Sequence, residues 1–250
     1  VVVTWVPLSE HEIAASLLAG ADDFVREPSA VVELSARLRA HLRVKRLVDA
    51  LHRVRSERDL LRRDAECDSL TGLMNRRALE RAVRTRVDGR ERFGVLFVDG
   101  DRFKQINDGY GHLVGDRVLV AISEMLRAGL RPGDAVGRYG GEEFVAIVAG
   151  AGPESARLVA ERLRRSIEEL PPFNPGPKRV TVSIGTAVFD PRSAEDVQSV
   201  FRRADLALYA AKRAGRNRVV MHTPECEEML ASADSSVRPS STLARAEEAG

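Results

Sequence analysis
The sequence predicts an α/β (α+β) protein: a mixed central sheet with helices on one side, preceded by a helical stalk. Three observations carry this expectation. Helix-like and strand-like segments alternate from about Arg76 to residue 222, the pattern of one layered domain. Val95-Leu96-Phe97-Val98 is an uninterrupted apolar run of the kind that fills a buried strand. Gly140-Gly141 separates the strand-like stretches 135–139 and 144–148, as a β-hairpin turn would, since glycine accepts the positive φ of a tight turn.

Taken in order, residues 1–6 read as a strand, and Ser9 as the cap of a helix that reaches Leu18 and ends at Gly20. Residues 23–26 read as a second short strand, and Ser29 as the start of another helix. This order, with Ala19-Gly20-Ala21-Asp22-Asp23-Phe24 and Glu27-Pro28, resembles the last third of a response-regulator receiver domain. The resemblance implies a partial receiver-like segment over residues 1–42 without that family's phosphoacceptor Asp. Glu27 stands where that family has Lys before the proline. A private α/β extension is the other reading. Residues 43–66 read as one helical linker, with Val44, Leu47, Leu51, Val54, Leu61 and Ala65 at alternating three and four spacings if Arg58 fills one slot. Such a heptad-like seam fits a coiled coil of two copies, or a lone amphipathic helix packed on its own domain.

The main domain is expected over residues 67–222. Its elements are a helix from about Arg76, a strand at 93–99, a helix at 115–128, the hairpin at 135–149, a helix at 153–169, a strand at 179–189, a helix at 194–213 and a strand at 217–222. Residues 223–250 are rich in Ser, Ala, Glu and Pro and read as a mostly disordered tail.

Composition narrows the function classes. The chain has 250 residues and a formal charge of +2, enough for one full domain plus extra pieces. The near-neutral balance gives no argument for a nucleic-acid partner. No apolar run reaches the roughly 18 residues that would argue for a membrane span, and no signal-peptide pattern opens the chain. Cys67 and Cys226 have neither metal-ligand nor framework spacing, so a reduced cytoplasm is the simple expectation.

Two acidic sites carry the chemistry. In Gly140-Gly141-Glu142-Glu143-Phe144 two carboxylates follow the hairpin turn. Adjacent strand residues face opposite ways, so Glu142 and Glu143 should have different jobs. The apolar run 95–98 ends in Asp99-Gly100-Asp101, followed by Arg102-Phe103-Lys104. Carboxylates at a strand end beside a Lys-bearing loop fit magnesium, which takes a few carboxylate oxygens plus substrate phosphate oxygens. No P-loop pattern is present. Each site alone also reads as an ordinary polar turn.

Together, these motifs identify a resemblance to the GGDEF domain, the diguanylate cyclase module of bacteria, over about Asp68 to Met221. The resemblance includes Asp68-Ser69-Leu70-Thr71-Gly72-Leu73-Met74-Asn75-Arg76-Arg77 and the stretch from Asp99 to Tyr110-Gly111-His112-Leu113-Val114-Gly115-Asp116. It continues with the signature in its Glu-Glu form, Thr181-Val182-Ser183-Ile184-Gly185, residues 204–212 and Gly215-Arg216-Asn217. Gly100 departs from the family, which usually has an aliphatic residue there.

The resemblance implies a ferredoxin-like core akin to polymerase palms and nucleotidyl cyclases. It implies that two GTP are joined into cyclic di-GMP with loss of pyrophosphate. Asp99, the Gly100 carbonyl, Glu142 and Glu143 are the implied holders of two Mg2+ per site, with Mn2+ able to substitute. Asp99, Glu142 and Glu143 are the implied catalytic residues, and Glu142 is the candidate for helping deprotonate the 3′-hydroxyl. Metal ions roughly 4 Å apart can bind attacking and leaving oxygens together. Lys104, Lys212, Arg216 and the backbone N–H groups of residues 101–104 would meet phosphates. Asn107 and Asp116 match the guanine-reading pair, with Phe103 and His112 as further substrate contacts.

One such domain holds one GTP, while the product is two-fold symmetric. A homodimer is therefore expected. Arg131-Pro132-Gly133-Asp134 resembles the family's Arg-x-x-Asp inhibitory site for cyclic di-GMP, with Arg162 as a secondary contact. The same four residues also make an ordinary turn. Three rival functions stay open: a nucleotide-binding module without turnover, a cyclase of mixed base choice, and a scaffold.

Overall fold
The computed structural model describes residues 2–3, 9–20, 24–25, 31–193 and 195–231. Contacts divide the chain into two units, Val1–Arg62 and Arg63–Gly250. In the first, β1 (Val2–Val3) pairs in parallel with β2 (Phe24–Val25), and α1 (Glu10–Leu18) lies between them in sequence. Ser9 and Glu12 form a reciprocal cap: the Ser9 hydroxyl accepts from Glu12 N at 3.3 Å, and the Glu12 carboxylate accepts from Ser9 N at 2.8 Å. The rest of the residue 1–6 strand and much of 21–30 lie outside the described residues. Helix α2 (Val31–Glu66) runs 36 residues without a break at the expected 42/43 boundary. It contains no Gly or Pro to interrupt it.

The second unit is built on a six-stranded mixed sheet. Its strands are β3 (Met74–Asn75), β4 (Phe93–Gly100), β5 (Ala135–Gly140), β6 (Glu143–Ala149), β7 (Val182–Phe189) and β8 (Val219–Met221). Their order across the sheet is β3-β5-β6-β4-β7-β8. The helices are α3 (Arg76–Asp88), α4 (Phe103–Tyr110), α5 (His112–Ala128), α6 (Pro153–Glu168), α7 (Val197–Arg213) and α8 (Pro224–Ala231). Among the described residues, no helix is long and apolar enough to cross a membrane.

The helices cover both faces of the sheet, which corrects the expectation of one. Leu96, Val98, Phe144 and Ala146 join one core with residues of α4, α5 and α6. Val95, Phe97, Val145 and Ile147 join a second core with residues of α3 and α7. Every residue of β4 is buried, as a strand with an unbroken apolar run must be when neither of its faces meets water. Helix α7 presses hardest at Gly185, where a Cβ would collide with the backbone of Ala204 and Leu208.

Three further corrections follow. Residues 103–110 form helix α4 rather than part of a loop. Its short apolar set, Phe103 and Ile106, is too sparse to announce a helical period. The tail expected from residue 223 begins as helix α8, pinned by Cys226 against Leu206 and Ala210; residues 232–250 lie outside the described residues. The hairpin at 135–149 forms as expected, but neither Gly140 nor Gly141 has positive φ. A register shift between Arg138 and Gly140 makes the bend. A Cβ on Gly140 would approach the Glu143 carboxylate, the movable end of that side chain, to 3.1 Å.

Candidate active site
The end of β4 gathers the acidic residues. Ladder pairing sets Asp99 opposite Glu143 of β6 and opposite Ser183 of β7. Residue alternation places Asp99 and Glu143 on the sheet face covered by α3 and α7. From the last turn of α7, Lys212 reaches back to Asp99, Nζ to Oδ2, at 2.7 Å. Asp99 is buried, and burial pushes its pKa up to about 7. The Lys212 ammonium opposes that rise, and Glu142 and Glu143 add to it.

Glu142, in the turn just before β6, stands on the other face, beside Gly100. Its carbonyl accepts from Gly100 N at 3.2 Å. A Cβ on Gly100 would stand 3.7 Å from that of Glu142 and 3.8 Å from Ile122 and Phe103. The glycine therefore leaves open the space that a family aliphatic side chain would fill.

These groups fit a divalent cation in kind. Asp99, bridged to Lys212, stands near Glu142 and Glu143 at this strand end, and all three carboxylates offer hard oxygens. Among the described residues, no group of three or more His, Cys, Asp or Glu side chains converges closely enough to enclose a metal. A cation held here would therefore complete its shell with substrate oxygens, as magnesium in phosphoryl-transfer sites does.

Asp101 takes a different place from its neighbour. Its carboxylate accepts from Thr181 Oγ1 at 2.8 Å, Ser183 Oγ at 2.6 Å and Asn217 N at 3.0 Å. Its own N–H donates to the Thr181 carbonyl at 2.9 Å. That N–H is thus unavailable to phosphate, which corrects the expectation for the loop 101–104. The remaining amides belong to the N-terminus of α4, where the first helical N–H groups lack partners within the helix. Arg102 enters that helix with φ of 55°.

Asn107 and Asp116, the pair expected to read guanine, lie on helices α4 and α5. Asn107 is half-buried, and its Oδ1 is buried with no hydrogen-bond partner. Gly115 of α5 lies directly across, and a Cβ there would overlap that oxygen. Asp116, the next residue, is half-buried. An unfilled acceptor at such a site costs about 1–3 kcal/mol until a donor arrives. Phe103 packs its ring into the core, so its amide, not its ring, is what it can offer a substrate. Lys104, His112 and Arg216 are exposed, and Arg216 is held at φ of 64°.

The Arg131–Asp134 turn lies at the start of β5. Gly133 has φ of 99°. The Asp134 side chain is only 2% exposed. It accepts from Ala149 N at 2.9 Å and from Arg131 N at 3.1 Å. Asp134 therefore holds the turn in this structure, with both carboxylate oxygens already accepting from backbone N–H groups. Arg131 stays exposed while donating to the Ala149 carbonyl at 2.6 Å. Arg162 of α6 donates to the Gly129 carbonyl at 2.6 Å, two residues before Arg131. Arg86 of α3, which the sequence did not single out, donates to the Gly133 carbonyl at 2.6 Å.

Comparison with known proteins agrees with this geometry. The profile of the family described as "Diguanylate cyclase, GGDEF domain" matches residues 65–218. Diguanylate cyclase DgcP of Pseudomonas aeruginosa is 41% identical over 210 residues, 81% of this chain and 31% of DgcP. The chain thus spans about a third of that relative. The solved coiled coil and GGDEF domain of DgcB from Caulobacter crescentus, in complex with c-di-GMP, superposes with a TM-score of 0.64. It is 32% identical, and the match covers 73% of this chain and 98% of that one. An active GGEEF domain of a diguanylate cyclase from Vibrio cholerae matches with a TM-score of 0.56 at 32% identity, over 60% of this chain and 98% of that one. With the profile covering more than half of its length and the acidic strand end and hairpin in place, the chain belongs to the GGDEF diguanylate cyclase family.

Proposed function
We propose that this chain condenses two GTP molecules into cyclic di-GMP with release of two pyrophosphates, acting as a homodimer. One observation carries the reading above others: the buried Asp99 carboxylate, in register with Glu143 and bridged to Lys212 at 2.7 Å. A buried acidic group with one cationic partner at a strand end is a charge arrangement made for a cation and a polyphosphate. Asp99, Glu142, Glu143 and the Gly100 carbonyl would hold Mg2+, two ions per site, with Mn2+ able to replace it. Bound metal supplies charge stabilisation for the attacking and leaving oxygens.

The chain's own residues bind and orient the nucleotide. Asn107 Oδ1 and the Asp116 carboxylate accept from the N1–H and 2-amino donors of guanine. That edge is absent from adenine, which separates GTP from ATP. Lys104 and Arg216, with the free amides at the start of α4, hold the phosphates. Lys212, bridged to Asp99 at 2.7 Å, would shift its charge toward the incoming polyphosphate. Glu142, beside Gly100 on the α4 side, would take the proton of the attacking 3′-hydroxyl.

A single domain cannot make a two-fold product, so two copies must face each other. Val44, Leu47, Leu51 and Val54 are exposed on α2, from 49% at Leu51 to 71% at Leu47. Pairing two such helices would bury this seam. The small parallel β-α-β unit before it is read as the end of a receiver domain, in keeping with a response-regulator origin. A cytoplasmic location follows from the GTP substrate. Cyclic di-GMP is proposed to inhibit by binding Arg131 and Arg162, with Asp134 shaping the turn.

Product analysis tests the function. Purified chain with GTP and Mg2+ should yield cyclic di-GMP and pyrophosphate at one to two. GTP left intact would remove the enzyme reading in favour of a binding module, and cyclic GMP-AMP from mixed GTP and ATP would replace it with a mixed-base cyclase.

A further inference from the structure
We infer that the cavity between the start of α4 and the turn at residues 215–217 is a subsite for pyrophosphate, where Arg102 and Arg179 join Arg216 to receive the leaving group. The inference deepens the cyclase reading of the site and rests on it.

The cavity has a volume of about 410 Å3, and arginines from three separate stretches of chain line it: Arg102, Arg179 and Arg216. Two of them stand on left-handed backbone, which residues other than glycine seldom adopt. Arg102 has φ of 55°, and Gly215, Arg216 and Asn217 follow one another at 114°, 64° and 47°. Such backbone persists only where its surroundings over-determine it, and it gathers at ligand sites. Among the described residues, neither the Arg102 nor the Arg216 guanidinium meets a protein acceptor.

The wall of the cavity is tied together by two carboxylates. Asp101 accepts from Thr181 Oγ1 at 2.8 Å and from Asn217 N at 3.0 Å, which joins the start of α4 to the 215–217 turn. Glu168 of α6 pairs with Arg179, and accepts from Asn217 Nδ2 at 2.9 Å and from Arg164 Nη1 at 2.5 Å. Two carboxylates thus stand against four guanidiniums, Arg102, Arg164, Arg179 and Arg216. The surroundings are short of negative charge, and each arginine fork offers five N–H donors. A diphosphate supplies both the charge and the paired oxygens that such forks match.

Position separates this subsite from the contacts expected for the bound substrate. Gln105, Ile106 and Tyr110 of α4 line the cavity, whereas Asn107 stands on another side of that helix, across from Gly115 of α5. Lys212 is engaged with Asp99 and does not line the cavity. A nucleotide with guanine at Asn107 and its α-phosphate at the Asp99 strand end would bring only its terminal phosphates to Arg216. In the reaction, the 3′-oxygen bonds the α-phosphorus as the bond from phosphorus to the bridging oxygen breaks. The 3′-hydroxyl proton passes to Glu142, and the electron pair leaves on pyrophosphate. Arg102 and Arg179 then draw this more highly charged group away from the new phosphodiester, which opposes the reverse attack.

The test uses the full chain as wild type and with Arg102→Ala, Arg179→Ala and Arg179→Lys. Arg213→Ala serves as a control for general surface charge, since Arg213 is an exposed residue of α7 outside the cavity. Binding of sodium pyrophosphate with Mg2+ is measured by calorimetry, and GTP turnover is measured with pyrophosphate as inhibitor. Arg102→Ala and Arg179→Ala should each raise the pyrophosphate Kd and inhibition constant at least tenfold, with KM for GTP changed less than threefold. Arg179→Lys keeps the charge without the fork and should recover part of the affinity. Arg102→Ala breaks no ion pair within the chain, and it carries the test should Arg179→Ala not fold. Pyrophosphate affinity unchanged in both alanine variants, or lost equally in Arg213→Ala, would overturn the subsite. A KM for GTP that rises as much as the pyrophosphate Kd would make these arginines ordinary substrate contacts and overturn the leaving-group role. Wild-type chain without turnover would overturn the cyclase reading instead, and calorimetry would then judge the pyrophosphate site by itself.

Discussion
Replacing Asp101 should cost more fold than chemistry, although it stands two residues from Asp99. Its carboxylate accepts from Thr181 Oγ1, Ser183 Oγ and Asn217 N, and Ser183 is fully buried. Asp101→Ala strands these three donors in a dry place. Hydrogen bonds to a charged group contribute about 1.5–3 kcal/mol each. The two hydroxyls can turn to other acceptors, and the Asn217 N–H cannot. A net loss of about 3–5 kcal/mol is therefore expected. For a domain of this size, 1 kcal/mol moves Tm by roughly 2–4 °C, so Tm should drop by about 6–20 °C. Asp101→Asn keeps one carbonyl oxygen for Ser183 and should lose about half as much. Thermal unfolding followed by circular dichroism reads both. A Tm within 2 °C of wild type for Asp101→Ala would refute the structural assignment.

Glu142→Ala should abolish synthesis at matched Mg2+ while leaving Tm within a few degrees, because the side chain is half-buried and outside the two cores; near-normal turnover would remove it from the site. Asp116→Ala should weaken GTP binding and the rejection of ATP by about 1–3 kcal/mol, the cost of unpaired guanine donors, read by competition binding; unchanged affinities for both nucleotides would remove it from base recognition. Arg131→Ala should keep initial turnover and lose slowing by micromolar cyclic di-GMP in a progress curve, whereas equal inhibition of wild type and variant would leave the Arg131–Asp134 segment as a turn only.

What was legible in the sequence is what depends on local pattern. The run 95–98 and the Gly-Gly hairpin have one plausible structure each, and both strands formed where expected. That Glu142 and Glu143 have different surroundings was expected from alternation, although Glu142 lies in the turn and only Glu143 in the strand. The second face of the sheet was less visible. Helix α3 and helix α7 cover it, and their apolar stripes look the same whichever face they choose. The unbroken run in β4 was the available signal, since a strand wet on one side alternates. Helix α4 hid because Phe103 and Ile106 alone cannot show a period. The roles of Asp101 and Asp134 depend on partners 15 to 116 residues distant, and sequence order does not bring those together. Asp134 is the instructive case, since the motif drew attention to its charge while its neighbours use that charge to close a turn.

The measurement closest to the central claim is cyclic di-GMP production from GTP and Mg2+ by the purified chain across a range of protein concentrations. The account predicts one cyclic di-GMP for every two pyrophosphates, with specific activity rising as dilute chains pair through α2. Consumption of GTP without cyclic di-GMP, or no consumption at any concentration, would contradict it.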